Sequence, residues 1–363
     1  MSELKIAVLG TRGYPSFYGG FETAVRHLIE ESTQKNFKYY VFSRKNNCLR
    51  DPNRKNAIVL YTPNLKSIKL ATLSHIFFSF PKILITKPDV ILAFNVSCGY
   101  VFPLARIFRI PTILNVDGLE WKRSKWGSIA KSVYFIAAKM SAKFADHIIC
   151  DSTEIATYWK RVFGRESTYI AYGGSQITSN KLLRPGLSEY LLYVARFVPE
   201  NHFEEFLESL NFLDKDIPVI IVGSANGNEY FEKLLEIAIR SRKNVKYLGH
   251  LSDDNLLNQL WSNCGLYFHG HSVGGTNPAL VQSMACSAPI IAFDSVYNRE
   301  VLQDCGIYTS GQPQEMANLI NEFFKSPSKR RRLGLNAKNR ASIHFNWVDV
   351  VKKYEHLISR AIL

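Results

Sequence analysis

Apolar residues in this chain gather in short, nearly continuous runs, most of them followed by a stretch with helical spacing. Residues 5–10 (KIAVLG) form the first run, the pattern of a buried parallel strand that feeds a loop through a glycine. An amphipathic helix is predicted from Phe21 to about Ser32, and further strand runs lie at 39–43, 57–61, 90–94, 112–115, 147–150 and 167–171. This alternation describes an open, mostly parallel sheet with helices on both faces. The rhythm stops at 172–186, where Gly173, Gly174, Ser175, Pro185 and Gly186 collect as in an interdomain linker. It restarts with a strand at 190–194 and a helix near 201–213, then strands at 219–222, 245–248, 265–269 and 290–293. A last helix is predicted over about 347–362. The fold class is therefore α/β: two Rossmann-like domains, with a cleft expected between them. No internal repeat or low-complexity tract interrupts this reading.

Ligands of open α/β sheets bind beyond the carboxyl ends of the strands, so the loops there are the places to seek chemistry. The first is Gly10-Thr11-Arg12-Gly13-Tyr14-Pro15, continuing to Gly19-Gly20. Its glycines let the backbone approach a ligand, and the helix that follows offers unpaired N–H groups to an anion. The spacing is not GxGxxG, so the dinucleotide fingerprint fails, and an ordinary strand-to-helix turn explains the loop equally well. A more specific combination is the stretch from His269 and His271 through Gly274, Gly275, Thr276, Asn277 and Pro278. Asn277 suits an N-cap and Pro278 the first helical position, and two glycines before the cap allow the backbone to wrap phosphate oxygens. Arg196 ends the first strand of the second half, where a guanidinium could fork onto phosphate. After the strand at 112–115 come Asp117, Glu120, Trp121, Lys122 and Arg123. A carboxylate there could orient hydroxyls or act as a base, and Trp121 and Trp126 could stack on a sugar; a helix N-cap with first-turn acids is the competing reading.

Composition narrows the class further. The charge-free apolar stretches 70–81 and 90–105 are too short for a membrane span, and the first residues lack the pattern of a signal peptide. Six cysteines, at 48, 98, 150, 264, 286 and 305, never form CxxC, which suits reduced thiols in the cytosol. His269 and His271 have no third ligand nearby, so no metal site is expected. The formal charge of +14 sits almost wholly in one half: residues 1–173 hold 25 Lys and Arg against 12 Asp and Glu. Such a half faces a polyanion, an anionic membrane or a phosphorylated substrate, unless its charge serves solubility alone. The basic run 329–332 reads as a solvated helix start. The aromatic and basic stretch 66–82 reads as a core helix for most of its apolar residues, its basic flanks being left open to a membrane surface.

The segments KIAVLGTRGYPSFYGGFET, NVDGLEWKRSKWG, YVARFVPEN and HGHSVGGTNPALVQSMA, in this order, resemble bacterial family 4 glycosyltransferases of the rhamnosyltransferase type with a DUF1972-like N-terminal domain. The resemblance spans nearly the whole chain. It implies a GT-B fold, with an acceptor-binding domain over 1–173, a nucleotide-sugar domain over 186–345, and a final helix over 346–363 packing back on the first. It implies a metal-independent, retaining transferase without cofactor. The best-matching donor is dTDP-L-rhamnose, with a UDP- or GDP-sugar as the alternative, and the acceptor is a polyprenyl-pyrophosphate-linked glycan of O-antigen or capsule synthesis. The enzyme would be cytoplasmic and peripherally bound to the inner membrane face. By position, Arg196 would hold the donor diphosphate and Gly274, Gly275, Thr276 and Asn277 would cradle it. Gly13 and Gly20 would close on it, and Asn201, His271 and Gln282 complete the donor set. Asp117 falls where many relatives carry a histidine, as base or sugar ligand. Tyr14, Glu120, Trp121, Lys122 and Arg123 would meet the acceptor. Relatives place a glutamate where Gln282 stands and a lysine where Asn201 stands, which points to weaker or altered donor binding. A nucleotide-sugar epimerase or dehydrogenase is disfavoured by the failed GxGxxG and the lack of a Tyr-x-x-x-Lys helix. No recognised motif supports nucleic-acid binding.

Overall fold

A computed structural model describes residues 3–16, 19–44, 56–65, 70–123, 126–175 and 189–363. Residues 176–188, which include most of the expected linker, lie outside these, as do Cys48 and residues 66–69 of the aromatic and basic stretch. The chain divides into two compact units, Met1–Tyr172 with Trp347–Leu363, and Gly173–Asn346.

The first unit carries seven strands: β1 (Leu4–Leu9), β2 (Phe37–Arg44), β3 (Ala57–Thr62), β4 (Val90–Phe94), β5 (Thr112–Asn115), β6 (His147–Cys150) and β7 (Thr168–Tyr169). They pair in the order β3-β2-β1-β4-β5-β6-β7, every pair parallel. β4 is buried at every position, which is why it reads as an unbroken apolar run rather than an alternating one. The helices Gly20–Glu30 and Trp347–Ile362 cover one face, bringing Val25, Leu28, Val351, Tyr354 and Ile358 onto Ile6, Val8 and Leu92. The buried carboxylate of Glu355 fixes the last helix by accepting from Ser32 Oγ (2.8 Å), Thr33 N (2.8 Å) and Thr33 Oγ1 (2.6 Å).

The second unit carries β8 (Leu191–Val194), β9 (Val219–Val222), β10 (Val245–Tyr247), β11 (Leu266–His269), β12 (Ile290–Phe293) and β13 (Ile307–Thr309). Their order is β10-β9-β8-β11-β12-β13, again all parallel. Its core joins Leu191, Tyr193, Val219, Ile221, Leu266 and Phe268 of the sheet to Phe203, Phe206, Met316 and Ile320 of the covering helices. The predicted alternation is borne out in both halves. β13 was not predicted: three residues between helices are too few to show a period.

Two readings of basic stretches need correction. Helix Ala71–Thr86 buries Ile76, Phe80 and Ile83, but Phe77 and Phe78 are 50% and 47% exposed. A helix presents only one stripe to the core, so adjacent phenylalanines cannot all be buried by one neighbour. In helix Pro327–His344 the basic run is not wholly solvated: Arg330 is buried, pairs with Glu189 at 3.2 Å and donates to Phe324 O at 3.1 Å.

Candidate active site

In each unit the chain leaves the central pair of strands in opposite directions: β1 and β4 in the first, β8 and β11 in the second. The crevice above such a pair is where open α/β sheets bind ligands. In the second unit it receives Arg196, just beyond β8, and the stretch 270–277 beyond β11. Arg196 is exposed and makes no ion pair among the described residues. Asn277 caps helix Pro278–Ala285 as predicted, its Oδ1 accepting from Ala279 N at 2.9 Å. Gly274 takes φ +102°, and Gly274, Gly275 and Thr276 lie buried before the cap. A free cation thus stands at one side of this crevice, with a glycine turn and helix start at the other.

Asn201 and His271 join the two loops. Asn201 Nδ2 donates to Arg196 O at 2.8 Å, its Oδ1 lies 2.6 Å from His271 Nδ1, and its own carbonyl accepts from Tyr193 Oη at 3.1 Å. The expected donor role of the Asn201 side chain is therefore corrected: both ends of its amide are engaged, and it holds the loop that ends in Arg196. The Asn298 amide accounts for His271 O (2.8 Å), and His202 Nδ1 lies 2.7 Å from Gly270 O. Neither Asn298 nor His202 was singled out from sequence, since nothing about an isolated Asn or His signals a partner many residues away. His269 is buried with Nδ1 3.0 Å from Tyr267 Oη, and burial pushes its pKa down to about 3, so it is a neutral core imidazole.

Gln282 is corrected in the same way. Its Oε1 accepts from Ser175 N at 2.8 Å, and its Nε2 donates to Ser175 O at 3.1 Å and Asn258 Oδ1 at 2.9 Å. The amide clamps the main chain at Ser175, a task that requires both a donor and an acceptor. Gln282→Glu, which introduces the residue the resemblance leads one to expect, should therefore not tighten donor binding. Asn258 can rotate its amide to donate, whereas the Ser175 carbonyl cannot, so a loss of about 1–2 kcal/mol is expected in denaturant melts. Unchanged stability together with tighter nucleotide binding would contradict the clamp.

In the first unit the loop after β1 passes Gly13 (φ +135°) and Gly19 (φ +118°) before Gly20 opens its helix. Tyr14 is buried in the core, its N–H donating to Ser43 Oγ at 3.2 Å, so it offers no face to an acceptor. After β5, Asp117 takes φ +56° and its N–H is held by Asn115 Oδ1 at 3.0 Å. Arg123 lies 3.6 Å from Asp117 and 2.9 Å from Glu120, which also accepts from Trp126 Nε1 at 2.8 Å. Asp117 and Glu120 are thus both tied to Arg123, while Asp117 stays partly open to solvent. Trp121 is only 8% exposed, packed against Phe135, Tyr158 and Phe163, and Lys122 sits 4.3 Å from the Tyr158 ring. The expected stacking of Trp121 on a sugar is corrected: its faces are already covered by its own aromatic cluster. In this unit Asp117, Gly19 and Gly20 thus reach solvent, Gly13 is buried, and Tyr14, Glu120 and Trp121 are packed as scaffold.

Comparison with known proteins follows the same division. Residues 4–175 match the family model DUF1972, a domain of unknown function, and residues 175–340 match glycosyl transferases group 1. Sucrose-phosphate synthase from Thermosynechococcus elongatus has a similar structure, with a TM-score of 0.81 at 18% identity over 99% of each chain. Anabaena HepE in complex with UDP-glucose gives a TM-score of 0.75 at 21% identity, over 99% of this chain and 100% of that one. WaaG, a glycosyltransferase involved in lipopolysaccharide biosynthesis, gives 0.74 at 12% identity, over 97% of this chain and 99% of its own. No curated protein matches the chain. The fold is GT-B, and residues 175–340 form a glycosyltransferase domain of the group 1 type. That domain is preceded by a DUF1972 domain.

Proposed function

We propose that this glycosyltransferase takes its sugar from a nucleotide-sugar donor gripped by the second unit and passes it, with retention, to an acceptor held by the first. The observation that carries the reading is the pairing of an unengaged Arg196 with the capped glycine turn 274–277 across the β8–β11 crevice. As the bond from the anomeric carbon to the diphosphate breaks, charge builds on the departing oxygens. The Arg196 guanidinium and the helix-start N–H groups would stabilise that charge. Asp117, beside Arg123, is the carboxylate we assign to sugar hydroxyls or to base work. Residues 1–173 with 346–363 are the proposed acceptor side and 186–345 the donor side. HepE was solved with UDP and with UDP-glucose, which supports a nucleoside diphosphate as the handle.

Our reading of the donor is dTDP-L-rhamnose, with UDP- and GDP-sugars as the alternatives, and of the acceptor a lipid-linked glycan for surface polysaccharide. A thermal-shift panel of nucleoside diphosphates and nucleotide sugars tests it. One base should raise the melting temperature by several degrees at saturating ligand, since stabilisation follows the ratio of ligand concentration to Kd. A panel without any shift would refute a nucleotide-sugar donor.

Peripheral attachment to a membrane belongs to the same reading. Among the described residues no helix is long and apolar enough to cross a bilayer. Three neighbouring helices, Ala71–Thr86, Phe102–Ile107 and Ser128–Phe144, carry Lys82, Arg106, Lys131, Lys139 and Lys143 and no acidic residue. On and beside them Phe77, Phe78, Ile85, Ile107, Phe108 and Ile129 are exposed, Ile85, Ile107 and Ile129 by more than 70% each. Apolar side chains ringed by lysines suit the surface of an anionic bilayer. Phe77→Ser/Phe78→Ser should lower co-sedimentation with phosphatidylglycerol vesicles several-fold; equal sedimentation would remove this face from the reading.

A further inference from the structure

A second polar cluster, at the carboxyl ends of β1 and β2, takes no part in the donor turn. Arg44 closes β2, and its N–H bonds Arg12 O at 2.9 Å, which sets the two arginines side by side at this edge. Arg44 Nη2 donates to Thr72 Oγ1 at 2.9 Å, but among the described residues its Nε is buried without a partner. Thr11 Oγ1 is likewise buried without a partner among the described residues; Ser97 Oγ meets the Tyr134 hydroxyl, and the His75 ring, wholly inaccessible, meets the Ser43 main chain and keeps one nitrogen unmatched. Thr11 follows β1 and Ser97 follows β4, so both stand at the switch point of the first sheet. The carboxylate in the group, Glu22, already accepts from Arg12 N at 2.8 Å.

This is an unbalanced set. Folded proteins leave few buried polar atoms unmatched, and three of them beside two arginines call for a missing partner. A guanidinium Nε–H can only donate, hydroxyls can donate, and a neutral imidazole donates from one nitrogen. Charge tells the same story: burial and the adjacent Arg12 weaken Arg44's hold on its proton, with Glu22 opposing. Burial, and then Arg44, push His75 down to about 4, so the imidazole is neutral rather than a third charge. The missing partner is therefore anionic, rich in acceptor oxygens and free of donors, which describes a phosphoryl group.

We propose that Arg12 and Arg44 bind a phosphoryl group at the carboxyl edge of β1 and β2, backed by Thr11, Ser97 and His75. Its identification with the acceptor rests on the transferase reading, in which the donor diphosphate already belongs to Arg196 and the turn 274–277. The acceptor would then be recognised through its phosphate as well as through its sugar.

Titration calorimetry on the full chain with farnesyl diphosphate, inorganic diphosphate and farnesol tests this. Farnesyl diphosphate should bind the parent protein, and Arg44→Gln should weaken it about tenfold or more, the scale of one or two charge-assisted hydrogen bonds. Arg44→Lys, which keeps the charge but loses the Nε donor, should fall between the two. Arg196→Gln should leave this binding in place. Thr72→Val removes the guanidinium's protein partner alone, so a loss there equal to that of Arg44→Gln would mean a structural role and overturn the site. If Arg44→Gln does not fold, Thr11→Val with Ser97→Ala should still weaken binding several-fold. Tighter binding of farnesyl diphosphate than of inorganic diphosphate identifies a lipid-linked occupant, and equal binding identifies the bare anion; both support the phosphoryl site. Farnesol binding as well as its diphosphate, or loss in Arg196→Gln without loss in Arg44→Gln, overturns it. Nucleoside diphosphate binding in the same samples reads the transferase assignment separately: retained nucleotide binding with no farnesyl diphosphate binding sinks the phosphoryl site alone.

Discussion

Arg196→Ala should weaken binding of the preferred nucleoside diphosphate by about ten- to a hundredfold while leaving the melting temperature of the free protein within a degree or two. The first half follows from chemistry. A guanidinium meets two phosphate oxygens with paired N–H donors, and charged hydrogen bonds of this kind contribute roughly 1.5–3 kcal/mol each. The second half follows from position. Arg196 is exposed, pairs with no carboxylate among the described residues, and contributes only its backbone carbonyl to the loop, where Asn201 Nδ2 binds it. An alanine keeps that carbonyl. Turnover should fall further than affinity, because the charge on the departing diphosphate is greater in the transition state than in the bound donor. Arg196→Lys should recover part of the affinity, as a point charge without the fork. Equal nucleotide affinity and turnover in Arg196→Ala and the parent protein would take the residue out of the site.

That prediction rests on a residue readable from sequence, and the reason is local. A buried parallel strand is a run of apolar residues, and whatever ends the run stands at the rim of the sheet; Tyr193-Val194-Ala195-Arg196 needs no distant information. The turn 274–277 was legible for the same reason, since cap, proline and glycines are neighbours in the chain and their geometry is set by φ and by free N–H groups. Both domains and nearly all of their strands follow from such short-range patterns.

What stayed hidden depends on long-range partners. The resemblance assigns Asn201 and Gln282 to the donor, at positions where it leads one to expect a lysine and a glutamate. Their amides instead meet His271 and Ser175, 70 and 107 residues away in the chain, and no periodicity announces such a pairing. A neutral amide is the group that can donate and accept at once, which is what a clamp between two main-chain or side-chain atoms requires. Trp121 was misread for a related cause. Its neighbours in sequence are polar, but its neighbours in space are Phe135, Tyr158 and Phe163 from two later helices. The pairing of Arg12 with Arg44 was equally invisible, because it depends on β1 and β2 lying side by side in parallel register.

The same join between loops sets the second large effect. Gly270→Ala should destabilise the second unit by about 3–4 kcal/mol, lowering its melting temperature by about 10 °C. A Cβ at this position would lie 2.1 Å from the carbonyl oxygen of Asn201 and 2.9 Å from its carbon, both main-chain atoms that cannot swing aside. That carbonyl is itself held by Tyr193 Oη, and the carbonyl of Gly270 by His202, whose ring stacks on Phe293 with centroids 3.7 Å apart. Relief requires parting the loop after β8 from the loop after β11. Parting them would break the 2.6 Å contact between His271 and Asn201 and displace the chain that carries Arg196. Donor affinity should therefore fall along with stability, even at temperatures where the variant is folded. Gly249→Ala is the matched control: nothing lies within 4 Å of its added Cβ, and the φ of +72° alone should cost about 1–2 kcal/mol with no change in nucleotide binding. A Gly270→Ala protein that melts within two degrees of the parent would mean that the loops beyond β8 and β11 do not approach as closely as the site requires.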